Sequence, residues 1–181
     1  MSTDLNRLRR MRWERLFGEL EGYAEHLRLE ERDALVTDLR EGEWAERSWI
    51  DTLAGGEVEA DVAVVDVGVL AGRVRMANEL VIHLETSTAV QVIAATAVQW
   101  VRSDGRPLGL DRDSVAAKLG WGPVFREALD EGDAVRLTLA GGLSIEGVVS
   151  AVGSDFVRIT VGDGRHRDVP TSAIRMATFP K

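Results

Sequence analysis

The pattern of apolar and polar positions along this chain occurs twice. Residues 60–84 match residues 135–159 at an offset of 75, and the apolar positions coincide without a gap. One extra residue then enters the second copy, after which the match continues at an offset of 76, so that Trp100 corresponds to Met176. A fixed offset of this kind predicts one supersecondary unit built twice along the chain.

Within each copy, apolar residues alternate with polar or small ones, which is typical of half-buried strands. Residues 57–102 and 133–181 are each predicted to form four or five short antiparallel strands. Gly72 and Gly147 occupy equivalent positions, and we expect the strands to bend sharply there. Short strands with a half-exposed apolar face avoid open edges by curling, so we predict a small barrel-like unit in each copy.

The preceding segment, residues 1–56, has helical periodicity instead. Its apolar side chains recur at intervals of three and four, which places them on one stripe of a helix: Trp13, Leu16, Leu20, Tyr23 and Leu27. The sequence therefore predicts a helical N-terminal arm. Its stripe either packs on the rest of the chain or binds a partner protein or a second copy.

Residues 103–132 form a connector between the two repeats and are predicted to contain short helices. The stretch Gly120–Pro123 is expected to separate a short helix over Val115–Leu119 from a second helical stretch over Val124–Leu129, because glycine and proline disfavour a helix interior. The complete prediction is an α+β protein: an N-terminal helical segment followed by two repeated small antiparallel β-barrel-like units.

The second copy contains the segment VRLTLAGGLSIEGVVSAVGSDFVRI, followed by DVPTSAIRM. Its alternating apolar residues, Gly-Gly turn, glycine bend and closing strand resemble the Sm-like and SH3-like small barrels. The resemblance covers residues 133–178 well and residues 58–102 more weakly. The whole chain is also similar to a group of largely uncharacterised actinobacterial proteins that combine an N-terminal helix with such repeats.

RNA-binding Sm-like proteins carry an asparagine after the bend glycine that helps to read a base. The corresponding positions in this chain are Val157 and Ile82. An aliphatic side chain has no donor or acceptor for a base edge. The resemblance therefore implies the fold but not RNA binding.

Composition narrows the expected chemistry. The chain has no cysteine, which excludes disulfides, thiolate metal sites and a cysteine nucleophile. The three histidines lack partners at metal-ligand spacing, and no nucleophile elbow, phosphate loop or carboxylate pair is recognisable. We therefore expect no enzyme activity, no catalytic or metal site and no cofactor.

No apolar run is long enough to span a bilayer and the start lacks a signal-peptide pattern, so a cytoplasmic protein is expected.

Two of the histidines lie in distinctive sequence surroundings. His83 corresponds to Arg158 in the other copy, and both are predicted at the polar end of a strand face, in a surface role. His166 lies in a mixed-charge hairpin between Arg165 and Arg167. That hairpin is either a solvated tip or a small contact site for an anion or a partner.

The net charge of −8 is unevenly distributed. Residues 16–60 are acidic, whereas the first fifteen residues carry a basic cluster: Arg7, Arg9, Arg10, Arg12 and Arg15. A general nucleic-acid binder usually has a basic face across its binding domain, which the two nearly neutral repeats do not provide. The basic cluster alone is a candidate contact for nucleic acid or for an anionic membrane surface.

The sequence therefore predicts a non-enzymatic protein-interaction or scaffold module with a helical docking arm. Its partner is expected to be another protein or a second copy of the chain. The alternative is a nucleic-acid-associated regulator that uses the arginine-rich N-terminal tip, residues 7–15.

Overall fold

The computed structural model describes residues 45, 47–54, 57–104 and 114–181. Apart from residues 45 and 47, all of them belong to one compact unit, Ser48–Lys181. The predicted helical stripe and the arginine cluster lie outside the described residues.

The described residues form ten strands. The first half of the unit contributes β1 (Val58–Val64), β2 (Gly68–Ala77), β3 (Val81–Glu85), β4 (Ala89–Ala94) and β5 (Val98–Ser103). The second half contributes β6 (Ala134–Leu139), β7 (Ser144–Val152), β8 (Phe156–Thr160), β9 (His166–Pro170) and β10 (Ile174–Pro180). Helix α1 (Trp121–Glu131) lies between the halves, and short 3-10 turns are formed by Trp49–Thr52, Ala95–Ala97, Ala116–Lys118 and Thr171–Ala173.

All ten strands belong to a single antiparallel sheet, in the order β5-β1-β2-β3-β4-β10-β6-β7-β8-β9. The predicted α+β arrangement of a helical segment followed by two barrel-like units is therefore wrong. The prediction fails because β4 pairs with β10, and this pairing continues the hydrogen-bond ladder of one half into the other. Each half uses one of its edges in this pairing. The described residues thus form a mainly β structure with one α-helix.

The strands of the two halves are paired in the same way. The first half has the order β5-β1-β2-β3-β4, and the second has β10-β6-β7-β8-β9. Val62 pairs with Leu70 in the first half, and at an offset of 75 Leu137 pairs with Ile145 in the second. A register shift follows Val74 in β2, and the equivalent strand β7 has one at the equivalent position. Each strand of one half therefore has a counterpart in the other.

Each half has its own buried apolar cluster. The first contains Val62, Leu84 and Ile93 and is completed by residues of the Trp49–Thr52 turn and its C-cap, including Ile50. The second contains residues of β6 to β10 and is completed by Phe125 and Ala128 from α1. Trp121 stacks on Phe125, with ring centroids 5.4 Å apart, and packs against both clusters. The N-terminal end of α1 thus connects the two cores.

Helix α1 contains the predicted stretch Val124–Leu129 but begins three residues earlier, within the Gly120–Pro123 stretch that was expected to separate two helices. Gly120 is the N-cap residue, and Pro123 lies in the first turn, where a backbone N–H has no intrahelical partner. Proline is therefore tolerated there. The helix ends at Gly132, whose φ of +73° is the left-handed C-cap conformation that glycine adopts most easily.

Substitution of the two bend glycines tests the close packing of the sheet. A Cβ atom on Gly72 would lie 2.5 Å from the backbone oxygen of Glu85, and one on Gly147 would lie still closer to the oxygen of Thr160. Because backbone atoms cannot move aside cheaply, we expect Gly72→Ala and Gly147→Ala each to lower the free energy of unfolding by about 1–3 kcal/mol. Urea unfolding followed by circular dichroism measures this change.

The matched control is Gly162→Ala, because a Cβ atom at that position meets no atom within 4 Å. This surface substitution should change the free energy of unfolding by less than about 0.5 kcal/mol. Equal stability of Gly147→Ala and Gly162→Ala would show that the β7 bend is not closely packed.

Candidate interaction edges and a groove beneath helix α1

The two halves of the sheet meet at one seam, formed by β4 and β10. The paired residues extend from Ile93 opposite Met176 to Ala89 opposite Pro180. At the centre of the seam, Val92 pairs with Ala177, and both residues are almost completely buried. Main-chain hydrogen bonds and apolar burial therefore act together at this contact.

Polar side-chain contacts also connect the halves. The carboxylate of Asp66 accepts a hydrogen bond of 2.8 Å from the backbone N–H of Gly141, and these residues lie in equivalent turns of the two halves. Near the end of β10, the Lys181 Nζ atom donates a hydrogen bond of 2.6 Å to Glu85 Oε1. The relative position of the halves is thus fixed by side chains as well as by the sheet.

Glu85 is the most strongly perturbed carboxylate of this network. Hydrogen bonds from Lys181 and Arg75 favour its charged form and lower its pKa from 4.5 to about 2. Arg75 also pairs with Glu57, with 2.9 Å between Arg75 Nη1 and Glu57 Oε1. The pairs are solvent-exposed, so their effect on stability is expected to be modest and sensitive to salt.

Within the described residues, β5 and β9 each pair with a neighbour on one side only. In the shared strand order, β5 is the counterpart of β10, and β9 is the counterpart of β4. The two free edges are therefore formed by the same kinds of strand that join at the seam. A free edge offers unpaired N–H and C=O groups to an added strand.

The β5 edge combines an exposed aromatic side chain with acidic residues. Trp100 is 49% exposed, although its counterpart Met176 is only 7% exposed in the seam. Strands β1 and β5 with the following residue carry three carboxylates and one guanidinium: Glu59, Asp61, Asp104 and Arg102. Asp61 and Arg102 form an ion pair across the two strands. The two strands together are therefore acidic, although Glu59 pairs with Arg73 of β2, and a large exposed apolar side chain lies at the centre of β5.

The β9 edge has the opposite balance of charge. The guanidinium of Arg158 donates two hydrogen bonds to Asp168, of 2.7 and 2.8 Å, which lowers the pKa of that carboxyl group. Strands β8 and β9 with the loop between them carry three guanidiniums and two carboxylates: Arg158, Arg165, Arg167, Asp163 and Asp168. The mixed-charge hairpin that was a candidate partner contact thus forms part of a free edge.

A small groove lies where helix α1 faces the sheet near the seam. It has a volume of about 160 Å³ and is lined by residues of α1, the turn after it, β3, β4 and β10: Val124, Glu127, Ala128, Glu131, Asp133, His83, Val90, Val92 and Phe179. The walls are mainly apolar, and the carboxylates come from α1 and the segment that follows it. The groove therefore combines a hydrophobic interior with an acidic rim.

His83 lies in this groove rather than on an open strand face. Its Nε2 atom is buried and has no hydrogen-bond partner among the described residues. Burial lowers the pKa of the imidazole below its ordinary value of 6.5, although the charge of Glu127 acts in the opposite direction. The side chain is partly exposed, as is that of its counterpart Arg158, but it lines the groove together with residues of α1.

The helical stripe and the arginine cluster predicted as contact sites remain predictions, because both lie outside the described residues. Neither the exposure of Trp100 on an edge strand nor the groove was predicted from the sequence. A signal for Trp100 was present in the repeat, since its counterpart Met176 belongs to the strand that forms the seam. The groove gave no comparable signal, because it depends on where α1 packs.

Searches against models of protein families and against curated proteins found no significant match to this chain. The resemblance to Sm-like and SH3-like barrels and to actinobacterial proteins therefore stays a prediction. In the described part of the chain, no three or more His, Cys, Asp or Glu residues are grouped so that they could hold a metal ion. No helix within the described ranges is long and apolar enough to cross a membrane.

The Glu85 network predicts a pH dependence of stability. A carboxyl group with a lowered pKa in the folded state stabilises the fold above its unfolded pKa, and this contribution is lost as it becomes protonated. We therefore expect the wild-type melting temperature to fall as the pH decreases from about 4.5 to about 2, partly through Glu85. Glu85→Gln should have a smaller dependence in this range, as measured by circular dichroism.

Glu146→Gln is the matched control, because Glu146 is also an exposed carboxylate that pairs with one arginine, Arg136. Because Glu85 is unchanged in this variant, the melting temperature of Glu146→Gln should still fall between about pH 4.5 and 2 by the amount that Glu85 contributes. If Glu85→Gln and wild type lose stability in parallel between pH 4.5 and 2, the two hydrogen bonds to Glu85 do not act as described.

Proposed function

We propose that this chain is a non-enzymatic interaction module with a scaffold role, and that its copies associate through the free edges β5 and β9. The observation that supports this proposal is the β4–β10 seam, which is a stable pairing between the counterparts of these two strands. Association of this kind is strand addition, in which main-chain hydrogen bonds hold the partner and side chains select it.

The seam also supplies a register for the association. A β10 residue corresponds to the β5 residue 76 positions earlier, and a β4 residue corresponds to the β9 residue 76 positions later. The seam pair Met176–Ile93 therefore places Trp100 of one copy opposite Val169 of the next. The same operation places Ser103 opposite His166, since their counterparts Phe179 and Val90 are paired in the seam. The proposed contact is therefore antiparallel and runs head to tail, so that each copy uses both edges.

Trp100 is the expected anchor of this contact. Its half-exposed indole has a large apolar surface, and large aromatic side chains often carry much of the binding free energy at interfaces. Its counterpart Met176 is nearly buried by the equivalent pairing. Strand addition would cover Trp100 in the same way.

The charges of the edges favour a selective contact. Charged side chains on an edge strand discourage indiscriminate pairing with other strands. The acidic β5 edge and the more basic β9 edge have complementary charge, which favours pairing of unlike edges over like ones. The N-terminal segment then serves as a further docking arm through Trp13, Leu16, Leu20, Tyr23 and Leu27, which connects the scaffold to a protein partner.

The register can be tested by cross-linking, because the chain contains no native cysteine. We expect an equimolar mixture of Ser103→Cys and His166→Cys proteins to form a covalent dimer under mild oxidation, since the paired Cα atoms would lie about 4.5–5.5 Å apart, within the range that disulfides span. Non-reducing electrophoresis measures the dimer yield. Each variant alone should give little of it.

The control mixture combines Ser103→Cys with Arg167→Cys. A shift of one residue moves the side chain to the opposite face of the strand, so this pair should cross-link poorly. Equal dimer yields from the two mixtures, or none from either, would contradict the proposed register.

A second prediction concerns the N-terminal arm. Removal of residues 1–30 should abolish the capture of a protein partner from native cell extract and leave the strand-rich unit folded. The physical reason is that the two buried apolar clusters lie within residues 48–181. Mass spectrometry of the captured proteins and the circular dichroism spectrum provide the readouts. If the shortened protein captures the same partners as the full chain, the arm is not the docking element.

A further inference from the structure

We infer that Trp49 of one copy packs on the Arg158–Asp168 ion pair of the next copy when copies associate through their free edges. This contact rests on the proposed association and deepens it, since it adds a side-chain contact beside the paired strands. Its basis is the way in which the two halves already meet beneath α1, together with the exposure of Trp49.

The turn Trp49–Thr52 is the counterpart of helix α1 in the first half. At the repeat offset of 75, Ile50 corresponds to Phe125, and each of these buried side chains completes the core of its own half. Two further pairs agree at this offset, one in burial and one in a left-handed backbone conformation: Leu53 with Ala128, and Glu57 with Gly132. Trp49 therefore corresponds to Val124 of α1.

The groove beneath α1 shows how such a segment meets the strands of the other half, because its walls come from both halves. Six of its lining residues have counterparts at the free edges: Trp49, Thr52 and Ser103 for Val124, Glu127 and Phe179, and Arg158, His166 and Asp168 for His83, Val90 and Val92. The first three counterparts belong to the β5 edge, where the Ser103 hydroxyl donates a hydrogen bond of 3.1 Å to the carbonyl oxygen of Thr52. The other three lie on β8 and β9. One copy therefore carries two half-grooves at opposite edges, and only a second copy can complete either of them.

Trp49 is the large apolar side chain of the half-groove at the β5 edge. It is 43% exposed, whereas its counterpart Val124 lines the completed groove at the seam. Removal of an indole from water is favourable, and tryptophan often carries much of the binding free energy at an interface. The next copy would cover Trp49 as the first half covers Val124.

The ion pair of Arg158 and Asp168 offers a flat cation to this indole. Asp168 holds the guanidinium by two hydrogen bonds, of 2.7 Å from Nε and 2.8 Å from Nη2. This bidentate arrangement uses one edge of the guanidinium and leaves its faces open, and both side chains are about half exposed. A guanidinium face packs favourably on an indole ring. Arg158 occupies the position of His83, which lines the seam groove together with Val124, so that Arg158 of the next copy would face Trp49.

The cross-link between Ser103→Cys and His166→Cys proteins allows each side of the contact to be tested separately. The trapped dimer uses the β5 edge of the Ser103→Cys copy and the β9 edge of the other copy. Trp49→Ala should therefore slow the initial rate of dimer formation about fivefold when it is placed in the Ser103→Cys copy. The same substitution in the His166→Cys copy should leave the rate unchanged, which separates a lost contact from a loss of stability.

Arg158→Gln tests the other side, and it should slow dimer formation about fivefold in the His166→Cys copy only. If the two side chains touch, Trp49→Ala and Arg158→Gln together, each in its own copy, should slow the reaction by less than the product of their separate effects. Val148→Ala is the matched control in either copy, because Val148 is an exposed apolar residue of β7, away from both free edges. It should leave the rate unchanged.

The outcomes separate this contact from the edge pairing itself. If the parent mixture cross-links but Trp49→Ala has no effect, or the same effect in either copy, Trp49 is not part of the contact and the edge pairing stands. Effects of the two substitutions that multiply exactly as independent changes would likewise refute the packing of Trp49 on Arg158. If the parent mixture does not cross-link, the edge pairing is absent, and the proposed function fails together with this contact.

Discussion

The hydrogen-bond ladder between β4 and β10 is the constraint on which the rest of the sheet depends. It joins two sets of five strands that have the same order, and it buries Val92 and Ala177 at their junction. Asp66 and Lys181 add polar contacts between the halves, while Trp121 packs against both cores. The groove lies at the same junction, because its lining residues come from α1 and from strands on both sides of the seam.

Much of the local structure could be predicted from the sequence. Alternation of apolar residues identified the strands, since alternate side chains on a strand face the core. The junction could not be predicted in the same way. Residues such as Val92 and Ala177 are far apart along the chain, and the alternation of a strand does not reveal which neighbour it pairs with. The start of α1 was expected three residues too late for a related reason, because proline is tolerated in the first turn of a helix and not in its interior.

The candidate sites were less predictable than the strands. His83 aligns with Arg158, and both are partly exposed, but only His83 lines a groove with residues of α1, which the alignment could not show. Trp100 aligns with Met176, but the meaning of this match depends on knowing that Met176 lies in a strand shared by both halves. In both cases the missing information was the neighbour in space rather than the residue itself.

The shared strand order of the two halves has a consequence for how their surfaces can differ. Because both halves belong to one chain, each kind of joining strand occurs twice, in an inner version at the seam and an outer version at a free edge. A substitution in one version does not alter the other. The inner version has the hydrophobic Val90 and Val92, whereas the outer one has His166 and Asp168 at the same places. A symmetric assembly of single units would have to use one sequence for both environments. The tandem chain is free of that compromise.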